Sequence, residues 1–416
     1  MTYRQALSLL GERQEVRWKL GLSRIRGLLR GLGDPQDAVP AIHVAGTNGK
    51  GGLCAMLESI LSTAGYRVGL YTSPHLVRPT ERIRLGGSEI GPRDFGRMIG
   101  AARDAETGTA SFFELLTAAA FLHFRERGAD IAVIETGLGG RLDATNVLRK
   151  PLLTAIPSIG FDHTQWLGQT LAAIALEKSG ILKPGSPCLC GELPPEAAAV
   201  VRRRGRTVGC PVEFVRRSLR SVRSIWGEGR QELADGDGGL WSVPLLGDGA
   251  VLNASIARRA AEHLRVPGEA VRRGLSDFRW PGRFQVVRTG SRTLVLDGAH
   301  NAPAMEAFTS TWRRSPWGGR DAVFMVGCLK DKDRGALVRI LSRVARKVIL
   351  ANPDSPRALD PAALVPLFEG AGVRVLAVEP SAERALRAWR RTGSPVGAVC
   401  GSLYLVGDAL RSLEKT

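Results

Sequence analysis

The densest concentration of chemistry in the sequence is Gly46-Thr47-Asn48-Gly49-Lys50-Gly51-Gly52. Successive backbone N–H groups in such a run can face a triphosphate, and Lys50 is long enough to reach its β- and γ-phosphates. Glycines suit the loop because side chains would block close approach and resist left-handed dihedrals. Gly51, not Ser or Thr, follows Lys50, so the usual P-loop hydroxyl for Mg²⁺ is absent and the metal must be held from elsewhere. Ser73, Glu135 and His163 each lie at or just beyond the C-terminal end of an apolar run. A hydroxyl, a carboxylate and an imidazole there could hold Mg²⁺ against phosphate oxygens. Lys178 shares a helical face with Leu171 and Ile174, which turns its ammonium inward. Each residue alone has an ordinary reading, as a tight turn, a packed histidine or an ion-paired lysine; their joint placement carries the inference.

These residues need a scaffold that delivers strand ends to one edge. Helical patterns over Tyr3–Leu10 and Val16–Leu29 precede a breaker at Gly31–Pro35. The order strand (Ala41–Ala45), glycine-rich loop, apolar helix (Leu53–Ala64) is the one a phosphate loop requires. Strands are expected at Val68–Tyr71, Ile131–Glu135 and Leu152–Ile159, with a helix over Phe112–Arg127. Residues 207–245 break into short strands punctuated by Gly and Asp, and a helix over Leu252–Leu264 follows. Alternation then restarts, with strands near Thr293–Leu296, Ala322–Val326, Val348–Ala351, Val373–Val378 and Val396–Cys400. The pattern predicts an α/β fold: a P-loop-type, doubly wound N-terminal ATPase domain over 1–283, and a smaller Rossmann-like domain over 284–416.

A chain of 416 residues with 44% hydrophobic and 24% charged residues is ordinary globular material, which argues against a disordered or fibrous protein. Of its 58 cationic residues 49 are arginine, giving a net charge of +18. The basic stretches Arg202–Arg206 and Arg216–Arg223 lack interleaved stacking aromatics, so solvated arginines are expected and no nucleic-acid partner. The six cysteines (54, 188, 190, 210, 328 and 400) form no CxxC pair and read as reduced, buried thiols. No run of 18 uncharged apolar residues and no secretory signal pattern is present, so a cytoplasmic protein without membrane contact is expected. Nothing in the pattern demands more than a monomer.

Several further segments, in chain order, resemble one family. They are His43 to Gly51, Tyr71-Thr72-Ser73-Pro74-His75-Leu76, Glu135 to Asn146, Ser158 to Thr164, and Glu177-Lys178-Ser179-Gly180. Trp280-Pro281-Gly282-Arg283, Asp297 to Asn301, Asp331-Lys332-Asp333 and Gly401 to Gly407 continue the series. Together they resemble folylpolyglutamate synthase/dihydrofolate synthase of the Mur ligase superfamily. The resemblance implies an ATP-dependent amide ligase that phosphorylates a pterin-bearing carboxylate, so that L-glutamate attacks an acyl phosphate. Dihydropteroate, folates, L-glutamate and ATP would be the substrates. Lys50, Lys178 and His163 would be catalytic, and Asn48, Gly49, Lys50, Gly51, Asn253, Arg283 and Asp297 would contact ATP. Ser73, Glu135 and His163 would ligate Mg²⁺, with two ions expected. The pterin would meet Ser111, Phe112, Phe113, Glu114, Leu142, Asp143 and Ala144, and the incoming glutamate would lie near His300 and Ser402. The family carbamylates the lysine matching Lys178, turning it into an anionic metal ligand.

Three departures from the family pattern stand out. Gly52 replaces a usual Ser, Gly249-Ala250 replace a His-Gln pair before Asn253, and Arg78-Pro79-Thr80-Glu81-Arg82-Ile83 replaces a usual Arg-Phe-Asn-Glu-Arg-Ile. They leave open a related ligase for another carboxylate or amino acid, or a nucleotide- or nucleic-acid-binding paralogue without ligase activity.

Overall fold

The computed structural model describes residues 1–14 and 21–414. The chain forms two compact units, one comprising Met1–Ser218 with Leu252–Phe278, the other Leu219–Val251 with the chain from Arg279 onward.

The first unit is built on strands β1 (Ala41–Val44), β2 (Val68–Tyr71), β3 (Ile83–Leu85), β4 (Ser88–Glu89), β5 (Ile131–Glu135), β6 (Leu153–Ile156), β7 (Cys188–Cys190) and β8 (Val212–Phe214). They form one sheet in the order β4-β3-β2-β5-β1-β6-β7-β8. Pairing is parallel from β2 through β8, and β3 and β4 add an antiparallel edge. Every residue of β1, β2, β5, β6 and β7 is buried, as expected of apolar strands covered on both faces. β1 is flanked by β5 on one side and β6 on the other, so the chain changes direction around it and leaves a crevice at the C-terminal strand ends. The first helix runs Tyr3–Gln14 and the next Ser23–Gly31. Residues 16–20 of the helix expected over Val16–Leu29 lie outside the described residues.

The second unit holds β9 (Arg220–Ile225), β10 (Arg230–Ala234) and β11 (Leu240–Val243) in an antiparallel sheet. A six-stranded sheet follows, from β12 (Gln285–Thr289), β13 (Arg292–Leu296), β14 (Ala322–Val326), β15 (Lys347–Ala351), β16 (Arg374–Glu379) and β17 (Val396–Cys400). Its order is β12-β13-β17-β14-β15-β16, parallel except for β12.

The two units differ from the expected division at 283/284 in two respects: residues 219–251 pack with the C-terminal unit, and so do residues 279–283. Local aromatic and polar contacts decide the first. Trp226 sits edge-on to Phe284 and Trp317, each at 6.1 Å, and Leu246 joins their core. Gln231 donates its amide to the carbonyls of Leu245 and Gly247, closing the excursion on itself. Composition marks the change of character at 207–245, but not which core receives the segment.

All six cysteines are free and buried. Among the described residues no helix is long and apolar enough to cross a membrane.

Candidate active site

The phosphate loop leaves the C-terminal end of β1, and its helix begins at Lys50 (Lys50–Thr63), three residues before the sequence pattern suggests. Gly49 ends the loop with φ 84°, and a Cβ there would lie 3.2 Å from both polar atoms of the Asn253 amide. Only glycine meets both demands without strain. Asn253 is 5% exposed and donates Nδ2 to the Gly49 carbonyl at 2.8 Å, so its amide braces the loop. The opposite wall is built by residues 158–160. Ser158 Oγ accepts the Asn48 N–H at 3.0 Å and donates to the Asn48 carbonyl at 2.8 Å. The Thr47 hydroxyl is bonded to both the Gly160 N–H and its carbonyl at 3.0 Å. Thr47 and Ser158 are supports the motif reading did not single out, and no spacing rule links residues so far apart in the chain.

Ser73, Glu135 and Lys50 are brought together. The Ser73 N–H donates to Glu135 Oε2 at 3.0 Å, and Lys50 Nζ lies 3.8 Å from Oε1 while donating to the Thr47 carbonyl. Glu135 is 2% exposed, at the last position of β5. His163 lies in a left-handed conformation (φ 50°) at the start of the short helix Thr164–Leu167, its N–H bonded to Asp162 Oδ1. Asp162 is near enough to Lys178 to favour that ammonium, which ties His163 to the same neighbourhood. Among the described residues no three His, Cys, Asp or Glu side chains form a cage. By donor type alone, a carboxylate, a hydroxyl and an imidazole suit a cation that keeps waters and takes phosphate oxygens as ligands, which is the habit of Mg²⁺.

Lys178 closes the cluster. The helix Leu171–Lys178 turns it inward, it is 4% exposed, and Nζ donates to the Gly46 carbonyl at 2.8 Å. Burial above all, and then the positive charge of Lys50, lowers its pKa to about 7, against the opposing pull of Asp162 and Asp143. Burial thus favours the neutral amine over the ammonium.

The residues expected at a pterin divide into two groups. Ser111 and Glu114 form a capping box for the helix Phe112–Glu126: Ser111 Oγ accepts the Glu114 N–H, and Glu114 Oε2 accepts the Ser111 N–H. Glu114 also pairs with Arg24 at 3.2 Å. Their side chains serve the helix start, a role the Ser-x-x-Glu spacing itself announces. Phe112 and Phe113 remain half-buried. The Arg82 guanidinium stands 5.1 Å from the Phe112 ring, and Phe113 packs on Tyr71 and covers Gly137 so closely that a Cβ there would be 2.5 Å away. Leu142 is half-buried and Ala144 buried. Asp143 is turned inward, accepting the Leu138 N–H at 2.7 Å and both the N–H and hydroxyl of Thr145. Thr145 Oγ1 is also 2.8 Å from His43 Nε2. Burial drops His43 to about 3 and raises Asp143, so the chain His43–Thr145–Asp143 is a buried polar brace around a neutral imidazole.

In the second unit, Asp297 accepts the Phe284 N–H at 2.8 Å and the Ala299 N–H at 2.7 Å. Arg283 is close enough to pull its pKa down against the larger upward effect of burial. His300 Nδ1 donates to the Gly298 carbonyl at 2.8 Å, which fixes the orientation of the ring. Ser402 is 1% exposed and caps the helix Leu403–Leu413 by accepting the Tyr404 N–H. The Gly401 N–H to Ala299 carbonyl bond joins the two strand-end loops.

Residues 282–402 match the Mur ligase, glutamate ligase domain. The dihydrofolate synthase/folylpolyglutamate synthase of Bacillus subtilis is 33% identical over 438 residues, covering 99% of both chains. The Escherichia coli protein of the same name is 34% identical over 95% of this chain and 92% of its own. A probable bifunctional folylpolyglutamate synthase/dihydropteroate synthase of Haloferax volcanii is 35% identical, and this chain spans half of that protein's length. Among solved structures, E. coli FolC in complex with DHPP and ADP superposes with a TM-score of 0.88 at 30% identity, covering 100% of this chain and 98% of that one. Mycobacterium tuberculosis folylpolyglutamate synthase complexed with ADP and AMPPCP gives the same score and identity over 99% and 98%. With such coverage, this chain belongs to the folylpolyglutamate synthase/dihydrofolate synthase family of Mur-type ligases.

Proposed function

We propose that this chain joins L-glutamate to the carboxylate of dihydropteroate and of folates at the expense of ATP. The observation that carries the reading is the meeting of the phosphate loop, Glu135 and two lysines at the C-terminal edge of β1 and β5. A carboxylate resists attack by an amine because its oxygen is a poor leaving group. Transfer of the γ-phosphoryl group to that oxygen makes an acyl phosphate; the glutamate nitrogen then bonds to the carbonyl carbon, phosphate departs and the amine loses a proton. Such transfers ask the protein mainly for positioning and charge neutralisation. In this reading the N–H groups of Asn48 to Gly51 hold the phosphates, and Lys50 neutralises the group in flight. Ser73, Glu135 and His163 are the residues that would hold Mg²⁺, which supplies further neutralisation of phosphate charge. Lys178, as a free amine, can add CO₂ with release of a proton, giving a second anion at the phosphate loop. Asn253 braces the loop, and Asp297 holds the backbone at Phe284 and Ala299, next to Arg283 and His300. Phe112 and Phe113 are the aromatic surface for a pterin ring, and His300 and Ser402 lie at the strand ends assigned to glutamate.

The test is the full chain with Mg-ATP and L-glutamate, offered dihydropteroate and tetrahydrofolate separately, with products weighed by mass spectrometry. One added glutamyl unit on each acceptor is expected. ATP consumption without any amide product overturns the reading.

A further inference from the structure

A second basic site lies away from the phosphate loop. Arg26, Arg30, Asp34, Gln36, Val147 and Arg149 line an open cavity of about 350 Å³, within the size range of roughly 300–1,000 Å³ that small-molecule sites occupy. Gln36 precedes β1, and Arg149 precedes β6. The cavity is therefore at the N-terminal end of parallel strands whose C-terminal ends carry the phosphate loop, a strand length of about 13 Å apart.

Its charge is unbalanced. Arg26 and Arg30 are one helical turn apart on Ser23–Gly31, a like-charged spacing that costs a helix stability unless something answers it. Arg24 on the same helix has Glu114 as its partner, but no ion pair involves Arg26 or Arg30 among the described residues. Arg149 stands 3.8 Å from Asp37, beyond hydrogen-bond reach, with its side chain 79% exposed. Nearby, Lys183 is pushed below its ordinary range by burial and then by Arg26 and Arg204. The carboxylates in the basin, Asp34 and Asp37, both turn toward Gln36 Nε2, at 2.9 and 3.5 Å. Gln36 is 6% exposed, and its Oε1 has no hydrogen-bond partner among the described residues. The cavity thus gathers the Arg26 and Arg30 guanidinium groups, which have no ion pair among the described residues, with the exposed Arg149.

We propose that this basin is a binding site for a compact polyanion, one that presents three or more carboxylate or phosphate oxygens together. Guanidinium forks recognise both oxygen types by paired, charge-assisted hydrogen bonds. A chain of γ-linked glutamates and an oligophosphate are the two sources of that chemistry.

Isothermal titration of the full chain at about 0.1 M salt, where exposed charges are screened beyond roughly 10 Å, distinguishes them. The probes are tripolyphosphate, citrate and tri-γ-glutamate, each with wild type, R26Q/R30Q and K50A. The expected result is a binding event that survives K50A and weakens at least tenfold in R26Q/R30Q. Carboxylate probes identify the first source when they bind, tripolyphosphate the second. Both arginines are exposed, so the glutamine variants keep the fold, and R149Q should weaken the same event independently. Binding that disappears in K50A and ignores R26Q/R30Q belongs to the phosphate loop and overturns the proposal. So does the absence of any K50A-resistant binding.

Discussion

Replacing Lys178 by methionine should make the protein more stable at acid pH while removing its activity. The ammonium is buried, and its pKa falls from 10.5 to about 7 on folding. Between those two values the unfolded chain holds a proton that the folded chain lacks, so this group's contribution to stability rises with pH. Its cost is fully present below pH 7 and is relieved toward pH 10.5. At about 1.36 kcal/mol per pH unit the full cost is roughly 4–5 kcal/mol, falling to about 2 kcal/mol at pH 9. Methionine keeps the length and apolar volume of the stem but strands the Gly46 carbonyl, a loss of about 1–3 kcal/mol. The variant should therefore be more stable by a few kcal/mol at pH 6 and nearly level with wild type at pH 9. That change in the gap corresponds to roughly 5–10 °C in Tm for a unit of this size. Calorimetry of both proteins at pH 6, 7.5 and 9 in CO₂-free buffer reads it, and the difference cancels every other titrating group. A gap that does not move with pH would mean the amine is not enclosed, and the argument for its neutral form would fall. With bicarbonate added, wild type should gain the mass of one CO₂ and the methionine variant should not.

Gly49→Ala should cost about 1–2 kcal/mol from its left-handed dihedral alone and weaken nucleotide binding further by displacing Asn253; Gly65→Ala, also at positive φ (96°) with nothing within 4 Å, is the control that loses stability without losing affinity in a nucleotide titration. Glu135→Gln still accepts the Ser73 N–H but lacks the charge, so turnover should fall at least about 100-fold with little change in Tm; retained turnover in saturating Mg-ATP would remove Glu135 from the chemistry. Thr145→Val strips the shared hydroxyl from His43 and Asp143 and should cost about 1–3 kcal/mol in calorimetry.

Strand, loop and helix around Gly46–Lys50 were legible from local order, because an apolar run, glycines and a second apolar run permit few other structures. The parallel strands followed from apolar runs short enough for strands, and the inward aim of Lys178 from helical spacing. Other features needed the folded chain. Asn253 reaches Gly49 across 204 residues, and Lys178 reaches Gly46 across 132, pairings that no periodicity encodes. Ser111 and Glu114 spend their side chains on a helix end, a competition settled by which backbone groups burial would otherwise leave unpaired. Residues 219–251 follow their aromatic contacts into the second unit although they precede Leu252, which returns to the first. Local spacing specifies elements because backbone sterics and side-chain period act over a few residues. The sites depend on which distant elements share a core, and hydrophobic burial decides that over the whole chain.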